Sequence, residues 1–200
     1  MKKPTASRGP LEVEVKLAIE DFQQVRRILI KMGFREELPR ALERNWILDY
    51  KDQSLRKKGK LLRLREYRDK SFVTFKGSTL KSKRYKVRQE LETEVKNGKT
   101  LYRVFEQLGL VSRFRYEKYR SSFRPKKRGT SGLIVVTIDE TPIGNYLEIE
   151  GKPKLIDWIA SQLGFSPNQY ITKSYTELFF CSKLAASRKN MIFTRRRIVK

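Results

Sequence analysis

The chain has 200 residues, 38% of them hydrophobic, and its 46 Lys and Arg against 22 Asp and Glu give a formal charge of +24. That length suits one domain with a tail, and that apolar share supports a packed core and excludes a disordered chain. The sequence has no histidine, which excludes Ser-His-Asp catalysis and histidine metal or acid–base sites, and its one cysteine, Cys181, excludes an internal disulfide and a zinc site. Any metal must therefore be held by oxygen, which points to magnesium, manganese or calcium. No apolar run approaches the length of a membrane span, and Lys2, Lys3 and Arg8 are followed by no apolar stretch of the kind a signal peptide needs. The chain reads as cytoplasmic. Setting aside ten basic residues at the two ends (three in 1–10, seven in 182–200) leaves a net +14 for residues 11–181, so the body itself predicts a phosphate-rich partner.

Residues 11–17 alternate apolar and charged and predict a strand. Residues 21–32 predict a helix, with Asp21 as N-cap, Phe22, Val25, Leu29 and Met32 in one stripe and Gly33 as the stop. Strands are expected at 44–50, 61–67 and 71–76, with a turn at 57–60. A long alternating strand at 85–95 ends at Asn97-Gly98. A helix over 100–108 buries Leu101, Val104, Phe105 and Leu108. Strands follow at 113–124, 133–140 and 145–150, then a helix over 155–163, a new element opened by Ser166-Pro167 and a C-terminal helix over 173–184. The order is α+β. Residues 1–10 read as an N-terminal extension, 11–186 as the domain, and 187–200 as a basic tail that is disordered or partner-bound.

Charges recur at a spacing of two residues. Glu12, Glu14 and Lys16 share one face of the first strand, opposite Leu11, Val13, Val15 and Leu17. Arg63 and Arg65 share a face. So do Arg88, Glu90, Glu92 and Glu94, then Lys118, Arg120 and Arg124, then Glu148 and Glu150. One charged face is ordinarily the solvent side of a sheet. Five such faces with few neutral polar residues, and with like charges in pairs, cost energy unless something bound offsets them. Paired carboxylates suit a divalent cation and paired bases suit phosphate oxygens, so the pattern predicts a metal–polyphosphate complex. A sheet of about eight strands closes into a barrel that can hold one small ligand. With the charges inside, the apolar faces point outward, and the amphipathic helices cover them.

The segment Leu11-Glu12-Val13-Glu14-Val15-Lys16 resembles the E-x-E-x-K signature of the CYTH domain, the triphosphate tunnel metalloenzyme superfamily, which includes class IV adenylyl cyclases, thiamine triphosphatases and inorganic triphosphatases. In the family's order, Leu62-Arg63-Leu64-Arg65 resembles its L-R-x-R strand and Thr74-Phe75-Lys76 its T-x-K strand. Arg88-Gln89-Glu90-Leu91-Glu92 resembles R-x-E-x-E, Lys118-Tyr119-Arg120 resembles K-x-R, and Ile138-Asp139 the strand with the family's aspartate. Gly144 to Glu150 resembles G-x-x-x-E-I-E, and Lys173-Ser174-Tyr175 the K-S-Y near the end.

The resemblance implies a closed eight-stranded antiparallel tunnel, clad by helices and open at both ends. It implies an acidic side for Mg²⁺ or Mn²⁺ made of Glu12, Glu14, Glu90, Glu92, Asp139, Glu148 and Glu150. It implies a basic side of Lys16, Arg63, Arg65, Lys76, Arg88, Lys118 and Arg120 for a triphosphate, with Lys173 adding to it. Without histidine the catalytic base is a carboxylate, metal-bound hydroxide or a lysine of lowered pKa such as Lys16. The expected activity is metal-dependent hydrolysis of an inorganic, nucleoside or thiamine triphosphate by a monomer or homodimer. The alternatives are a class IV adenylyl cyclase and a non-catalytic binder of polyphosphate or RNA. The tail is a solubilising end or a weak nucleic-acid contact, and the basic segment 81–86 is either an anion-steering tunnel mouth or a solvated hairpin end.

Overall fold

The computed structural model describes residues 10–126 and 134–194. The N-terminal extension as far as residue 9, residue 133 of an expected strand, and 195–200 of the tail lie outside the described residues. Eight strands form a closed, antiparallel barrel: β1 (Leu11–Ile19), β2 (Phe34–Tyr50), β3 (Leu61–Tyr67), β4 (Lys70–Lys76), β5 (Lys86–Val95), β6 (Leu110–Pro125), β7 (Ile134–Thr141) and β8 (Gly144–Gly151). The order around the barrel is β1, β5, β4, β3, β2, β6, β7, β8. The helices are α1 (Phe22–Lys31), α2 (Ser54–Lys57), α3 (Gly98–Gln107), α4 (Pro153–Gln162) and α5 (Tyr175–Phe180). None of them is long and apolar enough to cross a membrane.

The barrel is inverted, as the period-two pattern predicts. Along β1 the outward Val15, Leu17 and Ile19 and the inward Glu14 and Lys16 are all buried, so both faces of the strand are removed from water. The outward residues meet Val25 and Leu29 of α1 and Ile156, Ile159 and Ala160 of α4 in the largest apolar cluster. Asp21 starts α1 by accepting from the amides of Gln23 and Gln24. Asn97 starts α3 by accepting from Thr100, and Leu101, Tyr102 and Phe105 of that helix cover Leu48, Leu64 and Leu110. Gly98 is required there, because a Cβ would stand 2.3 Å from Ser71 Oγ. Two of the four residues expected to bury from this helix, Val104 and Leu108, are instead exposed.

Three segments differ from expectation. Strand β2 begins at Phe34, ten residues early, because register shifts at Glu36/Leu38 and Leu38/Ala41 break the alternation that would reveal it. The expected C-terminal helix ends at Phe180 and resumes as a 3₁₀ turn over Lys183–Ala186. The segment assigned to a free tail is docked as far as Thr194. Met191 is fully buried and bridges Tyr116 of β6, and the Phe193 ring lies 5.2 Å from that of Tyr119.

Candidate active site

The barrel encloses a cavity of about 430 Å³. Eight bases line it (Lys16, Arg63, Arg65, Lys76, Lys86, Arg88, Lys118, Arg120) against six acids (Glu12, Glu14, Glu90, Glu92, Glu148, Glu150), so the lining itself carries more bases than acids. Register brings them together. β1–β5 sets Glu12 beside Arg88, β1–β8 sets Lys16 beside Glu148 and Glu14 beside Glu150, and β4–β5 sets Lys76 beside Glu90.

On one wall Lys16 Nζ lies 2.9 Å from Glu148 and 3.4 Å from Glu14, while Lys86 Nζ lies 2.9 Å from Glu14. Burial alone would lower the Lys16 pKa, but the two carboxylates outweigh it and raise it above the ordinary lysine value. This direction is opposite to the lowered pKa expected of Lys16 as a base. Lys86 is the chamber lysine with a lowered pKa. Burial and the charge of Lys16 push it down to about 8, with Glu14 opposing.

A second wall is built on Asp139 and Glu43, both fully buried. Asp139 accepts from Arg120 Nε (2.7 Å) and Nη2 (2.6 Å), from Lys118 Nζ (2.9 Å) and from the Tyr175 hydroxyl (2.7 Å). Three of these fall on Oδ2 and one on Oδ1, and Asp139 does not line the cavity, so it anchors Arg120 and Lys118 from behind the wall. Glu43 lies 3.5 Å from both Lys118 and Arg65. Burial opposes its charge, yet Lys118, Arg120, Arg65 and Arg63 hold its pKa far below the usual carboxylate range. Arg120 also pairs with Glu148. The Tyr175 ring stands between two ammonium groups, 4.8 Å from Lys118 Nζ and 5.2 Å from Lys16 Nζ.

On the third wall Arg65 meets Glu92 at 2.6 Å, and Arg63 reaches Glu92 at 3.2 Å and Thr74 Oγ1. Lys76 pairs with Glu90 and stands 3.5 Å from Glu12 Oε2, which is buried and accepts no hydrogen bond. Burial, then the neighbouring Glu90 and Glu150, raise the Glu12 pKa against the pull of Lys76. Glu150 is raised as well, by burial and by Glu14 and Glu90. Both shifts mark carboxylates short of neighbouring positive charge. Arg88 is the complement. It is buried, forms no ion pair among the described residues, and its Nε lacks a hydrogen-bond partner, as does Arg65 Nε. Among the described residues no three carboxylates converge as a ready-made metal cage. Glu12, Glu90 and Glu150 are hard oxygen donors of the chemistry Mg²⁺ accepts, and as arranged they would supply only part of its shell, with water and substrate oxygens completing it.

The cavity thus gathers six of the seven acids and seven of the eight bases expected, leaving out Asp139 and Lys173. Lys173 is exposed in an adjoining cavity, its Nζ 3.7 Å from Cys181 Sγ. Glu43, Thr74, Lys86, Tyr116 and Tyr175 were missed as wall residues. Lys86 and Tyr116 lie two residues before Arg88 and Lys118 and share their faces, so alternation could have found them. Tyr175 comes from a helix, where that signal does not exist.

A profile of the CYTH domain family matches residues 10–175. A protein of Methanocaldococcus jannaschii named "Putative adenylate cyclase" is 27% identical over 179 residues, covering 84% of this chain and 98% of its own. A structure described as a "putative adenylate cyclase" of Vibrio parahaemolyticus superposes with a TM-score of 0.74 at 19% identity, covering 86% of this chain and 98% of that one. A Hippeastrum protein described as a "putative adenylyl cyclase" with a dominant triphosphatase activity has the same fold, with a TM-score of 0.58 at 18% identity over 85% of this chain and 95% of its own.

Proposed function

Because this chain belongs to the CYTH domain family, we propose that its barrel binds a triphosphate with Mg²⁺ or Mn²⁺ and hydrolyses it. The observation that carries this reading is the imbalance inside the chamber. Arg88 forms no ion pair among the described residues although Glu12 is its cross-strand neighbour, and the pKa values of Glu12 and Glu150 are both raised. A phosphate chain satisfies the first and a divalent cation the second. Glu12, Glu90 and Glu150 would hold that cation, which when bound supplies charge neutralisation at the phosphate oxygens.

The protein's own part is positioning. Arg88 and Arg65 offer donors to the phosphate chain. Lys16, Lys118 and Arg120, aimed by Glu14, Glu148, Asp139 and Glu43, would present fixed charge that does not reorganise as the reaction proceeds. Enclosure by the barrel limits water to the reacting phosphate. Cyclisation of ATP with loss of pyrophosphate uses the same walls, and the names of the relatives favour it as a second reading. The deciding assay supplies inorganic triphosphate, ATP and thiamine triphosphate with Mg²⁺ or Mn²⁺ and resolves phosphate from pyrophosphate and cyclic AMP. Phosphate release abolished by EDTA supports hydrolysis. Stoichiometric pyrophosphate and cyclic AMP replace it with the cyclase reading, and no turnover of any substrate rejects both.

A further inference from the structure

At one end the chamber runs into a second cavity of about 790 Å³, and Ile47, Leu61, Lys86, Arg88, Ser174 and Thr176 line both. Its chemistry is different. Leu48, Phe114 and Phe180 give it apolar wall. The Phe114 and Phe180 rings lie 5.6 Å apart, and Phe180 is 56% exposed although it sits in the last turn of a packed helix. Around this surface stand Arg56, Lys60, Arg113 and Lys173, none of which forms an ion pair among the described residues. The two acids present are already engaged. Asp49 accepts from the amides of Tyr50, Leu55 and Arg56 at 2.7, 3.0 and 2.9 Å, and Glu177 accepts from the amide and hydroxyl of Ser174, both at 2.7 Å.

We propose that this cavity is the headgroup subsite for the triphosphate held in the chamber, and that it selects an uncharged aromatic headgroup, as in a nucleoside triphosphate, over a cationic one such as that of thiamine. The proposal rests on the triphosphate reading of the chamber. The volume lies in the range that encloses a small organic ligand, and the shared wall makes the two spaces continuous. An exposed aromatic face flanking an apolar floor favours a flat ring laid against it. A cationic ring there would be desolvated where six bases (Arg56, Lys60, Lys86, Arg88, Arg113, Lys173) outnumber two carboxylates already engaged by backbone amides, a repulsive element that a neutral ring does not meet. Inorganic triphosphate would occupy the chamber alone and leave the apolar wall in water.

The test measures kcat/KM and competitive binding of ATP, inorganic triphosphate and thiamine triphosphate for the full chain, for Phe180→Ala and for the doubly reversed Lys60→Glu/Arg113→Glu variant. ATP should be preferred over thiamine triphosphate. Phe180→Ala should lower kcat/KM for ATP by about fivefold or more, the loss expected for one base–aromatic stack, and leave inorganic triphosphate unchanged. The charge reversal should narrow the gap between ATP and thiamine triphosphate. Inorganic triphosphate bound normally while ATP ignores Phe180→Ala, or thiamine triphosphate preferred by the unaltered chain, would overturn the subsite and leave the chamber reading intact. Failure of all three ligands to bind would remove the chamber reading and the subsite with it. Phe180 is largely solvent-facing, so the variant should fold, and circular dichroism checks this. Should it not fold, the charge reversal alone still decides.

Discussion

Arg88 and Arg120 are guanidinium groups in one chamber with opposite energetics. Arg120 pairs with Asp139, Glu148 and, at 4.0 Å, Glu43, all of them substantially buried. Removing it leaves carboxylates buried without a partner, so Arg120→Ala should destabilise the fold by about 3–5 kcal/mol. Arg88 forms no such pair among the described residues. Arg88→Ala should therefore change the melting temperature little while weakening triphosphate binding by about 1.5–3 kcal/mol, the scale of one charge-assisted hydrogen bond. Thermal melts and titration calorimetry on the two variants check this, and equal destabilisation by both would contradict it. Lys86 supplies a pH signature. Its lowered pKa of about 8 means that it is charged below that pH and neutral above it in the ligand-free fold. An anion prefers the charged form, so triphosphate affinity should fall as pH rises through about 8. The unfolded chain keeps the ordinary, higher value, so over the interval between the two it binds more protons than the fold, and this group's contribution to stability rises with pH there. Lys86→Met should flatten the affinity profile between pH 7 and 9 relative to the unaltered protein. An unchanged fall in the variant would assign the dependence to a group other than Lys86, since the ligand's own deprotonation makes it more anionic and works in the opposite direction.

At the scale of elements, legibility followed regularity. β1, β3 and β5 alternate without interruption, so their inward rows could be read from the sequence. The first half of β2 carries Pro39 and two register shifts, and Glu43 was lost with it, although it is as central to the base network as Asp139. The C-terminal segment misled in the other direction. Its charge suggested solvation, whereas Met191 and Phe193 give it an apolar side that docks on β6, and Glu117 accepts from the Phe193 amide at 3.2 Å. Two truncations separate these readings. Ending the chain at Thr194 removes Arg195, Arg196, Arg197 and Lys200 and should leave the melting temperature and triphosphate turnover unchanged. Ending it at Ser187 strips Met191 from the core and should cost about 2–5 kcal/mol, the loss typical of emptying a buried methionine site. Equal melting temperatures for the two truncations would show that the docked segment contributes nothing.

The whole molecule encloses two opposed sets of charges in one small space, and its stability should respond to whatever balances them. Millimolar inorganic triphosphate with Mg²⁺ should raise the melting temperature through linkage, and either component alone should raise it less. A thermal shift series with and without EDTA measures this, and no shift with both present would detach the chamber from ligand binding. The strand order carries a separate consequence, in time rather than in energy. β1 is the seam of the barrel, joined on one side to β5 and on the other to β8, so Glu14 meets Glu150 from 136 positions earlier in the chain. No contiguous first part of the sequence can assemble the chamber. Closure waits for the most sequence-distant pairing in the sheet, which places refolding among the slow topologies, on the order of milliseconds to seconds. Until β8 arrives, Lys16, Lys118 and Arg120 lack their Glu148 partner. The chamber is therefore enclosed only by a strand from the far end of the chain, and a shortened chain that lacks β8 can form the β3–β4–β5 wall but not a closed site.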